Sequence, residues 1–159
     1  MTILGKRVAR ARSVSMNYML VGNRASFRQG SYDSWTQSAV NQQFLAYRRA
    51  SDLVRPGPAN TWVFIDEHED SINDGYFVCD VTQPDRMVDV PGAYHNNACG
   101  IALADGHAEI IKWKTRASWF GSGDGVGQPV TGAAITAQFT FTESAKEDHM
   151  KLVRRTSAK

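Results

Sequence analysis

The sequence predicts an α+β domain: an antiparallel β-sheet with one or two short helices and long loops. Three observations predict it. Residues 61–65 form a β-branched and aromatic run. An Asp-Gly pair, Asp105-Gly106, sits between two segments of strand character. A helix-start signature, Ser144 with Glu147 three residues on, lies near the C-terminal end.

In chain order, residues 1–11 read as a polar lead-in to a single domain over 12–159. Residues 12–21 alternate apolar and polar, as expected of a strand with one face on a core, and Gly22-Asn23 ends it. Residues 23–38 are polar and mixed and predict a loop. Residues 39–54 fit either a helix or a short strand, since Val40, Phe44, Tyr47 and Leu53 have rough helical spacing. Pro56-Gly57-Pro58 forces a turn, because proline fixes φ and lacks an amide donor.

The run at 61–65 predicts a central strand buried on both faces. Asn73-Asp74-Gly75 predicts a tight turn, with 76–79 returning as a strand. The strands at 100–104 and 107–113 make a hairpin, with both Asp105 and Gly106 at positive φ and with Ala108 and Ile110 facing inward. The glycine-rich stretch at 121–127 is read as a loop; no strand feeds it and no helix follows, so it is no phosphate cradle. A further strand is expected at 134–142 and a terminal helix at 144–155, with Ser144 as N-cap.

A chain of 159 residues is long enough for one sizeable core, and 42% hydrophobic with 21% charged residues is the balance of an ordinary globular domain. Net charge is +2, so no global field recruits nucleic acid or an anionic membrane. Basic residues crowd both ends (Lys6, Arg7, Arg10 and Arg12; Lys151, Arg154, Arg155 and Lys159), but no aromatic interleaves them, and they read as solvated termini. No apolar run is long enough to span a bilayer, and the start lacks the residue order of an export signal. Cys79 and Cys99 allow one disulfide or two buried thiols, and sequence leaves both open.

The segment 94–113 places His95 nine residues before Asp105-Gly106, followed at once by His107. This resembles the H-x9-D-G signature of prepilin-like proteins numerous in Planctomycetes and Verrucomicrobia. Two further segments are similar to stretches of the same family: Arg12-Ser13-Val14-Ser15-Met16-Asn17, and the acidic block that runs from Val63 through Asp66, Glu67 and His68 to Phe77. The matches run in order over 12–113. The family's N-terminal peptidase site and long apolar helix have no counterpart in this sequence.

The resemblance implies a pseudopilin-head-like fold and a non-catalytic, extracytoplasmic surface or assembly module. Its expected partners are an assembly protein or a polysaccharide. Its motif residues would be His95, Asp105, Gly106 and His107. Related major pseudopilins staple a loop with calcium.

The residues themselves offer two candidate chemistries. Asp66, Glu67, Asp70, Asn73 and Asp74 form the densest set of hard oxygen ligands, the type that calcium takes in numbers of about six to eight. A glycoside hydrolase is the alternative, with its carboxylate pair drawn from Asp66, Glu67, Glu69 and Asp105. Trp35, Trp62, Trp113 and Trp119 would stack on sugar rings if exposed, though core packing is the commoner fate of tryptophan. His68, His95 and His107 lack the spacing of a zinc site, and His95 is expected to orient its loop by bonding Asp105 or a carbonyl.

Overall fold

A computed structural model describes residues 2–3, 6–7, 13–20, 34–68, 71–72, 74–83, 88–114 and 143–159. Its main element is a five-stranded sheet built from β3 (Val14–Asn17), β4 (Trp62–Asp66), β5 (Tyr76–Phe77), β6 (Ala98–Leu103) and β7 (Ala108–Lys112), in the order β5-β3-β4-β6-β7. Two further strands, β1 (Thr2–Ile3) and β2 (Lys6–Arg7), pair as a small antiparallel ribbon within what reads as a lead-in. The helices are α1 (Ser34–Asn41) and α2 (Glu143–Thr156). The α+β class holds, but the sheet is mixed. Tyr76-Phe77 pairs in parallel with β3, so the strand expected to return at 76–79 does not lie beside β4.

The faces of the sheet are the main correction to the sequence reading. On β3 it is Ser15 and Asn17 that are buried, while Val14 is 40% exposed. On β7 it is Ile111 that is buried, while Ala108 is exposed and Ile110 is 62% exposed. On β4, Trp62 and Ile65 point inward, and Phe64 is 46% exposed across a register shift between Trp62 and Phe64. The expected burial of β4 on both faces therefore does not occur, although β4 is central.

Polar residues tolerate the inner face because each finds a partner there. Asn17 Nδ2 donates to the carbonyls of Trp62 (3.0 Å) and Thr156 (3.2 Å), and its Oδ1 accepts from Met19 N (3.0 Å). That turn ends β3 well before Gly22.

The core lies between the inner face and α2. Trp62 meets Phe77 edge-on at 5.8 Å, and its indole N–H donates to Thr156 Oγ1 (3.0 Å). Helix α2 turns Ala145, Asp148, His149, Leu152, Val153 and Thr156 into the core, a stripe at helical spacing. It starts one residue before Ser144, the expected N-cap.

Helix α1 starts inside the expected loop at 23–38 and ends three residues into the segment 39–54 that fitted helix or strand. Its described buried side chains are only Thr36 and Ala39, so the apolar stripe that marks a helix is faint. Its end is a Schellman-type cap: Phe44 N bonds Ala39 O (3.0 Å), Gln43 N bonds Val40 O (2.9 Å), and Gln43 takes φ 69° in place of the usual glycine.

The hairpin of β6 and β7 forms as predicted, with a different turn. Gly106 N bonds Leu103 O (3.0 Å), Leu103 N bonds His107 O (2.8 Å), and of the Asp-Gly pair only Gly106 has positive φ (97°). This is a three-residue loop ending in a glycine bulge, not a two-residue turn. Two consecutive left-handed residues occur instead at Asn96 (54°) and Asn97 (61°), where His95 N bonds Ala98 O (3.1 Å) as β6 begins.

The expected strand at 134–142, the glycine-rich stretch at 121–127, Glu69, Asp70, Asn73 and Trp119 lie outside the described residues.

Candidate functional site

Asp66 of the acidic block and His95 of the spaced motif meet at the end of β4. Consecutive strand residues point to opposite faces, so Asp66 and Glu67 separate. Asp66 goes outward, where its register partner on β6 is Gly100. A methyl on Gly100 would stand 3.0 Å from Asp66 Oδ2, so the missing side chain makes room for the carboxylate. Asp66 Oδ2 accepts from Gly100 N (2.9 Å) and lies 3.5 Å from His95 Nε2, whose ring is 57% exposed. Gly92 N in turn bonds Asp66 O (2.7 Å), and Tyr94 stacks beside His68 at 6.3 Å. His95 therefore pairs with Asp66, not with Asp105.

Glu67 goes inward and is fully buried. Ser15 Oγ donates to its Oε2, Ser71 Oγ donates to its Oε1 (2.8 Å), and Ser71 Oγ accepts from Val90 N (2.9 Å). Asp89 is buried nearby and accepts from Val78 N (2.6 Å). Burial first, then the charges of Glu67 and Asp74, push the Asp89 carboxyl up to about 8, against the opposing pull of the Val78 N–H. Thus Glu67, a candidate ligand and catalytic carboxylate in the sequence, binds the fold together, as do Ser15 and Asn17 of the stretch at 12–17.

No known protein family, curated protein or solved structure matches the chain.

The outer face is open and apolar. Opposed residues form two rows across the strands: Met16, Phe64, Ala102 and Ala108 in one, and Val14, Asp66, Gly100 and Ile110 in the other. Between them runs a groove of about 320 Å³ lined by Val14, Phe64, Ala102, Ala108 and Ile110, with Asp66 on its margin.

Among the described residues, the candidate carboxylates Asp66, Glu67 and Asp105 do not converge: Asp66 and Glu67 point to opposite faces of the sheet. Asp66 lies over Gly100, and Asp105 follows on the same chain at the far end of β6, on the order of 15 Å away at about 3.3 Å per residue. A glycosidase pair needs roughly 5–9.5 Å. Asp105 bonds its neighbour His107, and Asp74 caps its own turn through Tyr76 N (2.7 Å). Among the described residues, no group of three or more His, Cys, Asp or Glu side chains is placed to hold a metal ion. Trp62 and Trp113 are in the core, not on a sugar-binding surface.

Sequence reasoning missed two side-chain groups. Cys79 Sγ lies 3.3 Å from His149 Nε2, both buried, and the two cysteines are free thiols. Burial pushes the Cys79 thiol up to about 12, which favours the neutral thiol beside His149. The second group joins the hairpin to α2: Arg155 holds Glu109 through two bonds (2.7 and 3.0 Å), and Glu109 also faces His107. The position of His149 on the α2 stripe is a signal that sequence could have given; the Glu109–Arg155 pairing, 46 residues apart, is not.

Proposed function

We propose that the chain is a non-catalytic assembly module, the head of a pseudopilin-like protein, whose open sheet face contacts a second copy of itself. One observation carries this reading. Val14, Phe64 and Ile110 project from one face with Ala102 and Ala108 between them, and this run of adjacent exposed apolar side chains supports an interaction surface. The chemistry favours protein over polysaccharide, since the patch is aliphatic with a single phenyl ring, and sugar recognition uses flat aromatics ringed by hydrogen-bond donors. Two-fold symmetry sets such a patch against itself, and burying what remains exposed of Phe64 and Ile110 contributes about 1–1.5 kcal/mol each, since both are already about half covered.

Polar residues of the other resembling segments support the same reading, because they serve cohesion and not a ligand. Ser15, Asn17 and Glu67 are spent on cohesion, and Asp66 is spent on the Gly100 amide and His95. A location outside the cytoplasm rests on the family resemblance.

Sedimentation of the intact chain over a wide concentration range tests the proposal. Self-association is expected, weakened at least about tenfold (about 1.4 kcal/mol) by Phe64→Glu or Ile110→Glu, both of which place a charge where the side chain is already half exposed. A chain that stays monomeric throughout, or that associates equally well with either variant, would remove this face as the contact.

A further inference from the structure

The turn of the β6–β7 hairpin presents one imidazole to two carboxylates. His107 Nδ1 lies 2.5 Å from Asp105 Oδ1, and His107 Nε2 lies 3.2 Å from Glu109 Oε1. Ionised carboxylates only accept. A neutral imidazole has one N–H, so it can satisfy one of these contacts while turning a lone pair on the other; the imidazolium satisfies both.

Both acids are held ionised. The His107 backbone N–H lowers Asp105, and the Arg155 guanidinium holds Glu109 down at about 2. The charged groups facing the ring are Asp105 from the turn, Glu109 from β7 and, behind Glu109, Arg155 from the last turn of α2.

We propose that His107 is a proton-operated latch within the hairpin: one proton closes a chain of hydrogen bonds from Asp105 in the turn through His107 to Glu109 on β7, the residue that Arg155 of α2 already holds, and its loss opens the link between the turn and Glu109. The neutral ring keeps the shorter contact through Nδ1–H to Asp105 and releases Glu109, which stays on Arg155.

The direction of the switch follows from the charges. Glu109 first and Asp105 second raise the pKa of His107 above its ordinary 6.5. The latch is fully closed below that ordinary value and opens as pH rises through the raised folded value. Because β7 carries Ala108 and Ile110, the latch acts on one border of the open sheet face. It does not depend on what that face binds.

Amide hydrogen exchange on the intact chain, corrected for intrinsic rates, tests the latch at mildly acid and mildly alkaline pH. Wild type should protect the amides of Glu109 through Lys112 several-fold more strongly at acid pH, and His107→Gln should remove that difference. The ring should titrate above 6.5 in wild type and fall back toward it in Glu109→Gln. Equal protection ratios in wild type and His107→Gln would overturn the proposal, as would a midpoint that Glu109→Gln leaves unchanged. His107 is exposed, so its replacement does not endanger folding.

Discussion

Replacing Glu67 by alanine should cost about 3–5 kcal/mol of unfolding free energy, a large share of what a domain of this size possesses. The side chain is wholly buried, and both its oxygens accept hydroxyl protons from Ser15 and Ser71. Truncation strands two buried hydroxyls at about 1–3 kcal/mol each and leaves a cavity where the carboxyl stood. Glu67→Gln should cost only about 1–2 kcal/mol, because a serine hydroxyl can accept from the new amide as readily as it donated to the acid. Urea denaturation of the two variants checks this. A Ser15→Ala/Glu67→Ala cycle should be clearly non-additive, since the two residues share one bond. A loss within about 0.5 kcal/mol for Glu67→Ala would place Glu67 in solvent and return it to the set of candidate ligands.

Stability should fall as pH rises from about 4 to about 8, and Asp89→Asn should abolish that part of the fall. The sign follows from the shift: Asp89 moves from 3.8 up to about 8, chiefly because burial penalises its charged form. Below the unfolded value both states hold the proton. Between the two values only the folded state does, so each pH unit costs at most about 1.4 kcal/mol, and above the folded value the loss is complete. The asparagine oxygen can still accept from Val78 N, so the variant should be the more stable protein at pH 8. Chemical denaturation of both proteins across this range gives the difference curve directly. Taking the difference cancels the opposite trend from Glu109, whose depressed pKa is lost only as pH falls toward about 2. A flat difference curve would mean that Asp89 is ionised in the fold, contrary to its burial.

Local signals in the chain were read well where the physics is local. The hairpin at Asp105-Gly106 was legible because a glycine at positive φ is a property of one residue. The strand at Trp62–Asp66 and the helix at Glu143–Thr156 were legible from β-branched density and helical periodicity. Helix α1 was not, because its C-cap uses Gln43 where the signal is glycine, and its described buried face is Thr36 and Ala39. The acidic block read as one solvated cluster of ligands. Its first two members in fact stand on opposite sides of the sheet, Asp66 against Gly100 and Glu67 against Ser15 and Ser71.

By itself, then, the sequence determined the strands of the sheet, the hairpin, the terminal helix and the α+β class, all of which follow from short-range propensity and period. Only the tertiary structure decided which way the strands face. A period of two says that Val14 and Met16 share a side, and so do Ala108 and Ile110, but it does not say which side is inward. Here Ser15, Asn17 and Ile111 go in, because Glu67, the Trp62 and Thr156 carbonyls and helix α2 wait there to receive them, and those partners lie 45 to 139 residues away. That choice leaves Val14, Phe64 and Ile110 on the outside and gives the molecule the face on which its proposed function rests.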